Sequence, residues 1–473
     1  MKKSLDRMLL LSCRSPFLDD AKIYAPMANL YLKSYINKNV PDVDVVLGDD
    51  EYELDNPDYF KPYDIIGLSV MTPQREEALK ILHAVKRYDP DKVVVVGGPH
   101  VKHYAGDIID AKEPYDWIVP LDGERVLTGI LKGETDFNHQ YIRTGIKWED
   151  GKSQRIVMDT IDDPRILIDI MTKKDVDEAP RPDRSSKNAV KVIGNYHYKL
   201  GDRDSTTMMS ARGCPEQCSF CEDAMTAVKW SSYDSINNQL DDIKNLGYGG
   251  VYMFDDLFAI SMPKIRPITE QLSKKNLIYR CNAQARYFTK WGEDMAKLLS
   301  DTGCYEIAFG AETGSQKILD NIRKRTTVEA NYQTIEYANK HDIIVKAFIL
   351  LGLPGEDMET LKDTEKLVNF LMQDKRNDFG AYVFYPYKGT QLRDSLDRGE
   401  DPGMSMLVEE GLGAYGIKGG NTEAGVIQTN DLTNKQLIDF RDYLVNKYHP
   451  ESGKEKWSKF HDTHMESEVE YER

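Results

Sequence analysis

A basic excess, long apolar runs and a dense cysteine framework are all missing from this chain. Its 62 Lys and Arg are outnumbered by 78 Asp and Glu, giving a formal net charge of -16. A nucleic-acid groove wants a basic stripe, so this balance disfavours nucleic acid as a partner. Arg323-Lys-Arg325 and Lys340 are small basic features that read as a solvated face. No segment approaches the ~20 apolar residues of a membrane helix, so no membrane partner is expected. The opening residues, Met1 to Arg7, are followed only by a short apolar run ending near Cys13. That run reads as a strand rather than a signal peptide. Six cysteines in 473 residues make no disulfide scaffold. A reducing, cytoplasmic setting is the expectation.

What the chain does have is ordinary apolar content, high charge and length for two or three domains. It also has one concentrated motif, Met208-Met-Ser-Ala-Arg-Gly-Cys-Pro-Glu-Gln-Cys-Ser-Phe-Cys221. Cys214, Cys218 and Cys221 are spaced C-x3-C-x2-C, close enough for three sulfurs to converge on one object. Three ordinary loop cysteines are the plainest alternative. A zinc site is another, but structural zinc takes four protein ligands and no histidine is close by. An iron–sulfur cubane fits better. Ferredoxins supply four thiolates to such a cluster. With three local thiolates, the fourth iron is either ligated from afar or left open to a small molecule.

With Phe220 just before the last cysteine, this motif resembles that of the radical S-adenosylmethionine (radical SAM) superfamily. The resemblance implies a [4Fe-4S] cluster whose open iron binds the amino and carboxylate groups of S-adenosyl-L-methionine. It also implies a 5′-deoxyadenosyl radical that abstracts a substrate hydrogen, and a reducing partner such as flavodoxin or ferredoxin.

Residues 1–132 alternate strand and helix. Apolar runs at 7–12, 43–47, 64–69, 92–97 and 116–119 read as buried parallel strands. Helical periodicity falls at 26–37 and 74–88, and another helix opens near Gly123. A doubly wound, Rossmann-like α/β domain is expected. Its ligand crevice would lie beyond the strand ends, at Ser12–Pro16, Ser69–Pro73, Gly97–His100 and Leu121–Glu124. Tyr63-Asp-Ile-Ile-Gly-Leu-Ser-Val-Met-Thr72, Val95-Val-Gly-Gly-Pro-His100 and Val119-Pro-Leu-Asp-Gly-Glu124 resemble the cobalamin-binding domain that precedes many radical SAM domains. The resemblance makes Ser69, Met71, Thr72, Gly97, Gly98 and Gly123 candidate cobalamin contacts. Their plainer reading is that they end strands and start helices. His100 and His103 are set aside as cobalt ligands, because no Asp-x-His-x-x-Gly motif occurs.

Residues 133–205 read as a connector, with strand-like pieces at 141–145 and 155–158. Its stretch 172–183 is polar and broken by proline, which reads as a linker. Residues 206–390 contain six strand-like segments, at 208–212, 250–255, 278–283, 305–310, 344–351 and 379–384. Helical stretches lie between them, so a partial (β/α)6 TIM-type barrel is expected, with its site at the strand carboxyl ends. The radical SAM resemblance is carried there by four further stretches. They are Asp255-Asp256 with Phe258, Gly310-Ala-Glu-Thr-Gly-Ser315, Gly352-Leu-Pro-Gly-Glu356 and Pro386-Tyr-Lys-Gly-Thr390. It implies that Asp255, Asp256 and Glu312 meet the amino or ribose end of S-adenosylmethionine. Arg286 is a candidate for its carboxylate, which a guanidinium can grip with two bonds. Cys281 reads as core, and Cys304 as lying at the amino end of its strand, away from the chemistry.

Residues 391–473 read as a small, mostly helical C-terminal region. It carries a glycine-rich loop at 411–420, a helix at 434–448 and a charged tail. Tyr382, Tyr385, Tyr387 and Tyr415 are candidates for a substrate wall. Trp457 and Phe460 could anchor a short helix, and His461 and His464 read as surface residues. The function expected is a cobalamin-dependent radical SAM methyltransferase acting on an unreactive carbon of a small molecule, with a second S-adenosylmethionine restoring the methyl group. Cyclisation or rearrangement without methyl transfer, and a non-catalytic cobalamin or cluster sensor, are the alternatives.

Overall fold

The structure, a computed structural model, describes residues 5–14, 22–48, 52–149, 152–407 and 426–449. Ser15 and Pro16, the 411–420 stretch with Tyr415, and Trp457, Phe460, His461 and His464 lie outside the described residues. The chain forms two compact units. Met1–Cys214, Thr226–Phe258 and Pro263–Arg280 make the first, and Pro215–Met225, Ala259–Met262 and Cys281–Arg473 the second.

The first unit begins with β1 (Arg7–Ser12), α1 (Met27–Asn39), β2 (Asp44–Gly48), β3 (Ile65–Ser69), α2 (Arg75–Tyr88), β4 (Val93–Gly97), α3 (Pro99–Asp110), β5 (Trp117–Val119) and α4 (Glu124–Lys132). The strands form one parallel sheet in the order β2-β1-β3-β4-β5. Alternation along each strand sends side chains to opposite faces. Leu9, Leu11, Ile66, Leu68, Val94 and Val96 pack with Ile81 and Val85 of α2 and Val101 of α3. Met8, Leu10, Ile65 and Val95 pack with Leu30 of α1 and Val126 of α4. Both faces are covered, which is why these strands read as continuous apolar runs. The strand order reverses between β1 and β3, and a crevice opens at such a switch point.

β6 (Gln140–Glu149) and β7 (Lys152–Asp162) form an antiparallel hairpin. The segment expected as a linker is more ordered than its composition predicts. It carries α5 (Lys173–Glu178), opened by a Thr172/Asp175 capping box, and α6 (Lys187–Gly194), capped by Ser186. Between them Arg184 is only 2 % exposed and donates to the Thr207 carbonyl.

The chain continues through β8 (Lys199–Leu200), β9 (Arg203–Met208), β10 (Ala211–Arg212), β11 (Lys229–Trp230), α7 (Tyr233–Asn245), β12 (Gly250–Met253), α8 (Met262–Lys274) and β13 (Ile278–Ala283). It then runs through α9 (Ala285–Trp291), α10 (Glu293–Asp301), β14 (Cys304–Glu312), α11 (Gln316–Asn321), α12 (Val328–Lys340), β15 (Ile344–Leu351), α13 (Met358–Leu371) and β16 (Asp378–Val383). The C-terminal region holds α14 (Gln391–Asp397), β17 (Met404–Met406), β18 (Ile427–Thr429) and α15 (Asn434–Tyr448). Seven strands make a curled mixed sheet, a partial barrel, in the order β16-β15-β14-β13-β12-β9-β8. Its first parallel strand is not 208–212, as the apolar pattern predicts, but Arg203–Met208. Ser205, Thr206 and Thr207 are buried in it, and the chain leaves the sheet at Met209.

Gly98 has φ +101, and a Cβ there would lie 2.7 Å from the Val70 backbone nitrogen. Gly98→Ala should therefore cost on the order of 2 kcal/mol. Gly194, at the end of α6 with nothing within 4 Å, is the control. Gly194→Ala should be neutral or gain about 0.5 kcal/mol. Urea-unfolding midpoints of the two variants check the contrast.

Candidate active site

The crevice of the first unit is a cavity of about 270 Å3 at the carboxyl ends of β1, β3, β4 and β5. Ser69, Gly97, Gly98 and Gly123 line it, together with Tyr31, Asp122, Glu124, Met209 and Arg212. Of the six candidate cobalamin contacts, four therefore meet at this crevice. Met71, 47 % exposed, and Thr72 are not among its lining residues. The Thr72 hydroxyl is instead 3.4 Å from Nδ1 of His100, whose ring stacks on Tyr104.

The rim of the cavity is charged. Arg212 lies 3.0 Å from Glu124 and 3.7 Å from Asp122, and its guanidinium sits 5.4 Å from the centroid of the Tyr31 ring. Burial and the neighbouring Glu124 push the Asp122 carboxyl up, against the Met171 N–H and Arg212. Tyr31 reaches the Met209 carbonyl at 3.4 Å and Gln239 at 3.3 Å. Bare glycine backbone, apolar walls and a charged rim suit a bulky, flat cofactor with polar arms. Asp122 and Glu124 fall in the Leu121–Glu124 stretch expected at the crevice, and Met209 and Arg212 in the cysteine motif, whereas Tyr31 carries no sequence signal as a contact. The signal for Arg212 is its place two residues before Cys214.

Asp255 is fully buried. It accepts from the Ser210 N–H at 2.6 Å, the Ala211 N–H at 2.9 Å and the Ser210 hydroxyl. Burial pushes its pKa up to about 6, while those bonds pull the other way. Asp256 accepts from the Gly213 N–H at 2.7 Å. The pair therefore grips the backbone that leads into the cysteine motif. The Thr226 hydroxyl then accepts from the Cys214 N–H at 2.8 Å.

Cys214 belongs to the first unit, and Cys218 and Cys221 to the second. All six cysteines are free thiols, and among the described residues no group of three or more His, Cys, Asp or Glu is arranged as a metal site. In the second unit the motif is tied down by its own backbone. Ser219 donates to the Ile322 carbonyl at 2.9 Å and accepts from the Leu392 N–H at 3.0 Å. Glu216 takes the Arg286 guanidinium at 3.0 Å and the Tyr287 hydroxyl at 2.6 Å. Arg286, expected to grip a ligand carboxylate, thus already holds a protein one. Phe220 meets Phe384 edge-on at 6.4 Å.

Glu312 and Lys324 form a buried ion pair at 2.5 Å. Lys324, read from sequence as part of a solvated face, is only 7 % exposed. Its Nζ lies 5.5 Å from the centroid of the Phe220 ring. Burial alone would lower the Lys324 pKa, but Glu312 and Cys218 more than offset this and leave it raised. Burial raises the Cys218 thiol, and Lys324 works against that rise. Glu312 has φ +61, and the register of β14 against β15 shifts between Gly310 and Glu312. A bulge of this kind re-aims a side chain. A Cβ on Gly310 would lie 2.0 Å from the Glu312 carboxylate, and one on Gly314 would lie 2.1 Å from the Asp363 carbonyl. Both motif glycines are required by packing.

The Gly352–Glu356 turn folds back on itself. Buried Glu356 accepts from the Gly352 N–H, and its own carbonyl accepts from the Thr429 hydroxyl at 2.8 Å. Thr390 caps α14 by accepting from the Arg393 N–H. Tyr385 and Tyr387 meet edge-on at 4.7 Å, and Tyr382 is exposed. Cys281 and Cys304 are both buried, and the Cys304 thiol is pushed up by burial and then by its contact with Cys281.

The family model of the Radical SAM superfamily matches residues 208–368, and that of the B12 binding domain matches residues 29–131. An uncharacterized methyltransferase of Pyrococcus horikoshii is 24% identical over 78% of this chain and 77% of its own length. A cytidylyl-2-hydroxyethylphosphonate methyltransferase of Streptomyces wedmorensis is 22% identical over 80% of this chain and 76% of that protein. An anaerobic magnesium-protoporphyrin IX monomethyl ester cyclase of Cereibacter sphaeroides is 27% identical over 71% of this chain. The chain spans only 54% of that cyclase's length. Among solved structures, the radical S-adenosylmethionine methyltransferase TsrM of Kitasatospora setae, with cobalamin and a [4Fe-4S] cluster bound, superposes with a TM-score of 0.65. It is 16% identical over 86% of this chain and 78% of that one. The cobalamin-dependent enzyme OxsB gives a TM-score of 0.67 at 18% identity, over 98% of this chain and 71% of that one. At these identities the two structures share a fold with this chain.

Two measurements check the buried charges. Lys324→Met, which strands Glu312, should cost about 3–5 kcal/mol. Adding Glu312→Gln should restore much of that loss, read by a double-mutant cycle in urea. Burial, against the Gly352 and Leu353 N–H groups, raises the Glu356 pKa from its ordinary 4.5 to about 8. A raised carboxyl favours folding only while protonated, so its contribution is complete below pH 4.5 and lost as pH rises to about 8. Glu356→Gln should flatten stability across that window, measured as urea midpoint against pH.

Proposed function

This chain is a radical SAM enzyme with an N-terminal cobalamin-binding domain, and from that premise we propose that it methylates an unreactive carbon of a small molecule. Its cofactors are a [4Fe-4S] cluster, S-adenosyl-L-methionine and cobalamin. When bound, they supply the electron, the hydrogen-abstracting radical and the methyl group. The protein orients them and excludes water.

Cys214, Cys218 and Cys221 would hold the cluster, with Lys324 offsetting the cost of a thiolate at Cys218. Ser69, Gly97, Gly98 and Gly123 would hold cobalamin at the crevice. Asp255 and Asp256 position the backbone ahead of Cys214 through the Ser210, Ala211 and Gly213 N–H groups. One observation carries the reading above all. Arg212, two residues before the first cysteine, is anchored by Glu124 in the wall of the cobalamin crevice. Arg212 thus ties the backbone two residues ahead of Cys214 to the wall of that crevice within the first unit. Relatives from Pyrococcus horikoshii and Streptomyces wedmorensis that are named as methyltransferases support methyl transfer. The likeness to a cyclase supports a second reading, ring formation without methyl transfer. A flavodoxin- or ferredoxin-type reductant in the cytoplasm fits either reading.

Anaerobic reconstitution with iron and cobalt counts, followed by dithionite-driven product analysis, tests the proposal. Methyl transfer predicts bound cobalt, 5′-deoxyadenosine and a product heavier by one methylene. Cobalt-free protein that still forms 5′-deoxyadenosine would sink methyl transfer and leave the radical chemistry standing. Cys218→Ala should abolish both cluster and cleavage, and cleavage retained in that variant would overturn the ligand set.

A further inference from the structure

Strand β12 has two unlike faces. Val251 and Met253 are fully buried, while Tyr252 and, just beyond the strand end, Phe254 point the other way. Crossover helices cover the outer face of a (β/α) barrel, so the aromatic face belongs to its inner side. Tyr252 and Phe254 meet edge-on at 5.0 Å. Tyr24 joins them at 5.7 Å and 5.6 Å, and Tyr198 lies 5.2 Å from Tyr24 and 5.9 Å from Tyr252. Four rings thus share one wall. Two of them stay open at its edge, Phe254 at 40% exposure and Tyr24 at 39%. Two adjacent rings left part-open in this way offer a surface on which another ring can stack.

The place of the wall narrows its role. Phe254 directly precedes the Asp255-Asp256 pair, and its N–H donates to the Met208 carbonyl at the end of β9. It therefore adjoins the backbone that launches the cysteine motif. The chemistry of the wall narrows its occupant. Ring faces favour stacking on another π-system. The Arg280 guanidinium lies 4.6 Å from the Tyr252 centroid, so that ring already has a cation beside it.

We propose that Tyr24, Tyr252 and Phe254 form the platform for the substrate, and that the substrate presents a planar aromatic ring. The proposal rests on the radical SAM reading for its chemistry, but its test does not require turnover.

Three probes titrated into the anaerobically reconstituted full-length protein, by calorimetry or ligand-observed NMR, test it. Indole-3-acetate is flat and anionic, tryptamine is flat and cationic, and cyclohexaneacetate is anionic and saturated. The platform predicts that indole-3-acetate binds at least tenfold tighter than cyclohexaneacetate, and that tryptamine binds within about tenfold of indole-3-acetate. Phe254→Ala and Tyr24→Ala should each weaken indole-3-acetate binding by about tenfold. Phe254→Leu, which keeps an apolar side chain but removes the ring, should weaken it similarly. Far-UV circular dichroism and iron content serve as folding controls. Equal binding of cyclohexaneacetate, undiminished binding in all three variants, or no binding of indole-3-acetate would each overturn the platform. Failure of the radical reading shows separately, as absence of 5′-deoxyadenosine from the reductive assay.

Discussion

The structure turns on two adjacent carboxylates that hold backbone in place. Asp255 takes the Ser210 and Ala211 N–H groups, and Asp256 takes that of Gly213. Those donors lie where the chain has left β9 and no ladder satisfies them, and buried N–H groups need partners. Burying Asp255 costs free energy, seen in its upward shift, and three hydrogen bonds offset that cost. The next constraint is steric. Gly213 has φ +97, and a Cβ there would lie 2.4 Å from the Ala227 carbonyl. Any other residue would move the start of the cysteine motif.

From that fixed start, Arg212 follows. With Ala211 and Gly213 both held through their N–H groups, the intervening side chain has little freedom. It reaches the Glu124 carboxylate at the head of α4 and stacks near Tyr31 of α1. Acidic side chains in the first turn of a helix are favoured by its dipole, so Glu124 is placed both for α4 and for Arg212. The ion pair is partly buried, and its strength as a tether comes from geometry more than from charge. The crevice rim and the motif therefore share one rigid connection within the first unit.

Much of this was legible in the sequence, for a physical reason. Strands buried on both faces are apolar throughout, so β1, β3 and β4 declare themselves. Helices such as α2 and α12 carry one apolar stripe. β9 escapes the apolar pattern because Ser205, Thr206 and Thr207, buried across both of its faces, are polar, and a polar strand reads as a connector. Arg184 donates to the Thr206 hydroxyl at 3.4 Å and to the Thr207 carbonyl, but it lies in a stretch that reads as a connector. Lys324 was hidden for the opposite reason. Between two arginines it reads as surface, and its burial is made tolerable by Glu312, twelve residues earlier in sequence, together with Cys218. Composition reports what a residue prefers on average, and long-range partners decide the exceptions.

The Gly310–Ser315 stretch shows what motif resemblance carries and what it leaves open. Its conspicuous features, two glycines and a glutamate, are each accounted for without a ligand. Gly310 leaves room for the Glu312–Lys324 pair, and Gly314 lets β14 end against the backbone of α13. Thr313 and Gly314 both bond the Thr364 hydroxyl, which fixes that approach. The pair nonetheless has an electrostatic consequence. Lys324 favours a thiolate at Cys218, whereas Glu312 and Glu216 oppose it. Cys218 therefore sits in a field set by three side chains, two of them acidic. Removing either carboxylate shifts that field in favour of the thiolate, and removing the lysine shifts it against. A motif of this kind is retained by packing and felt at the cysteine, so its glycines and its charge act on different links of the same chain of cause.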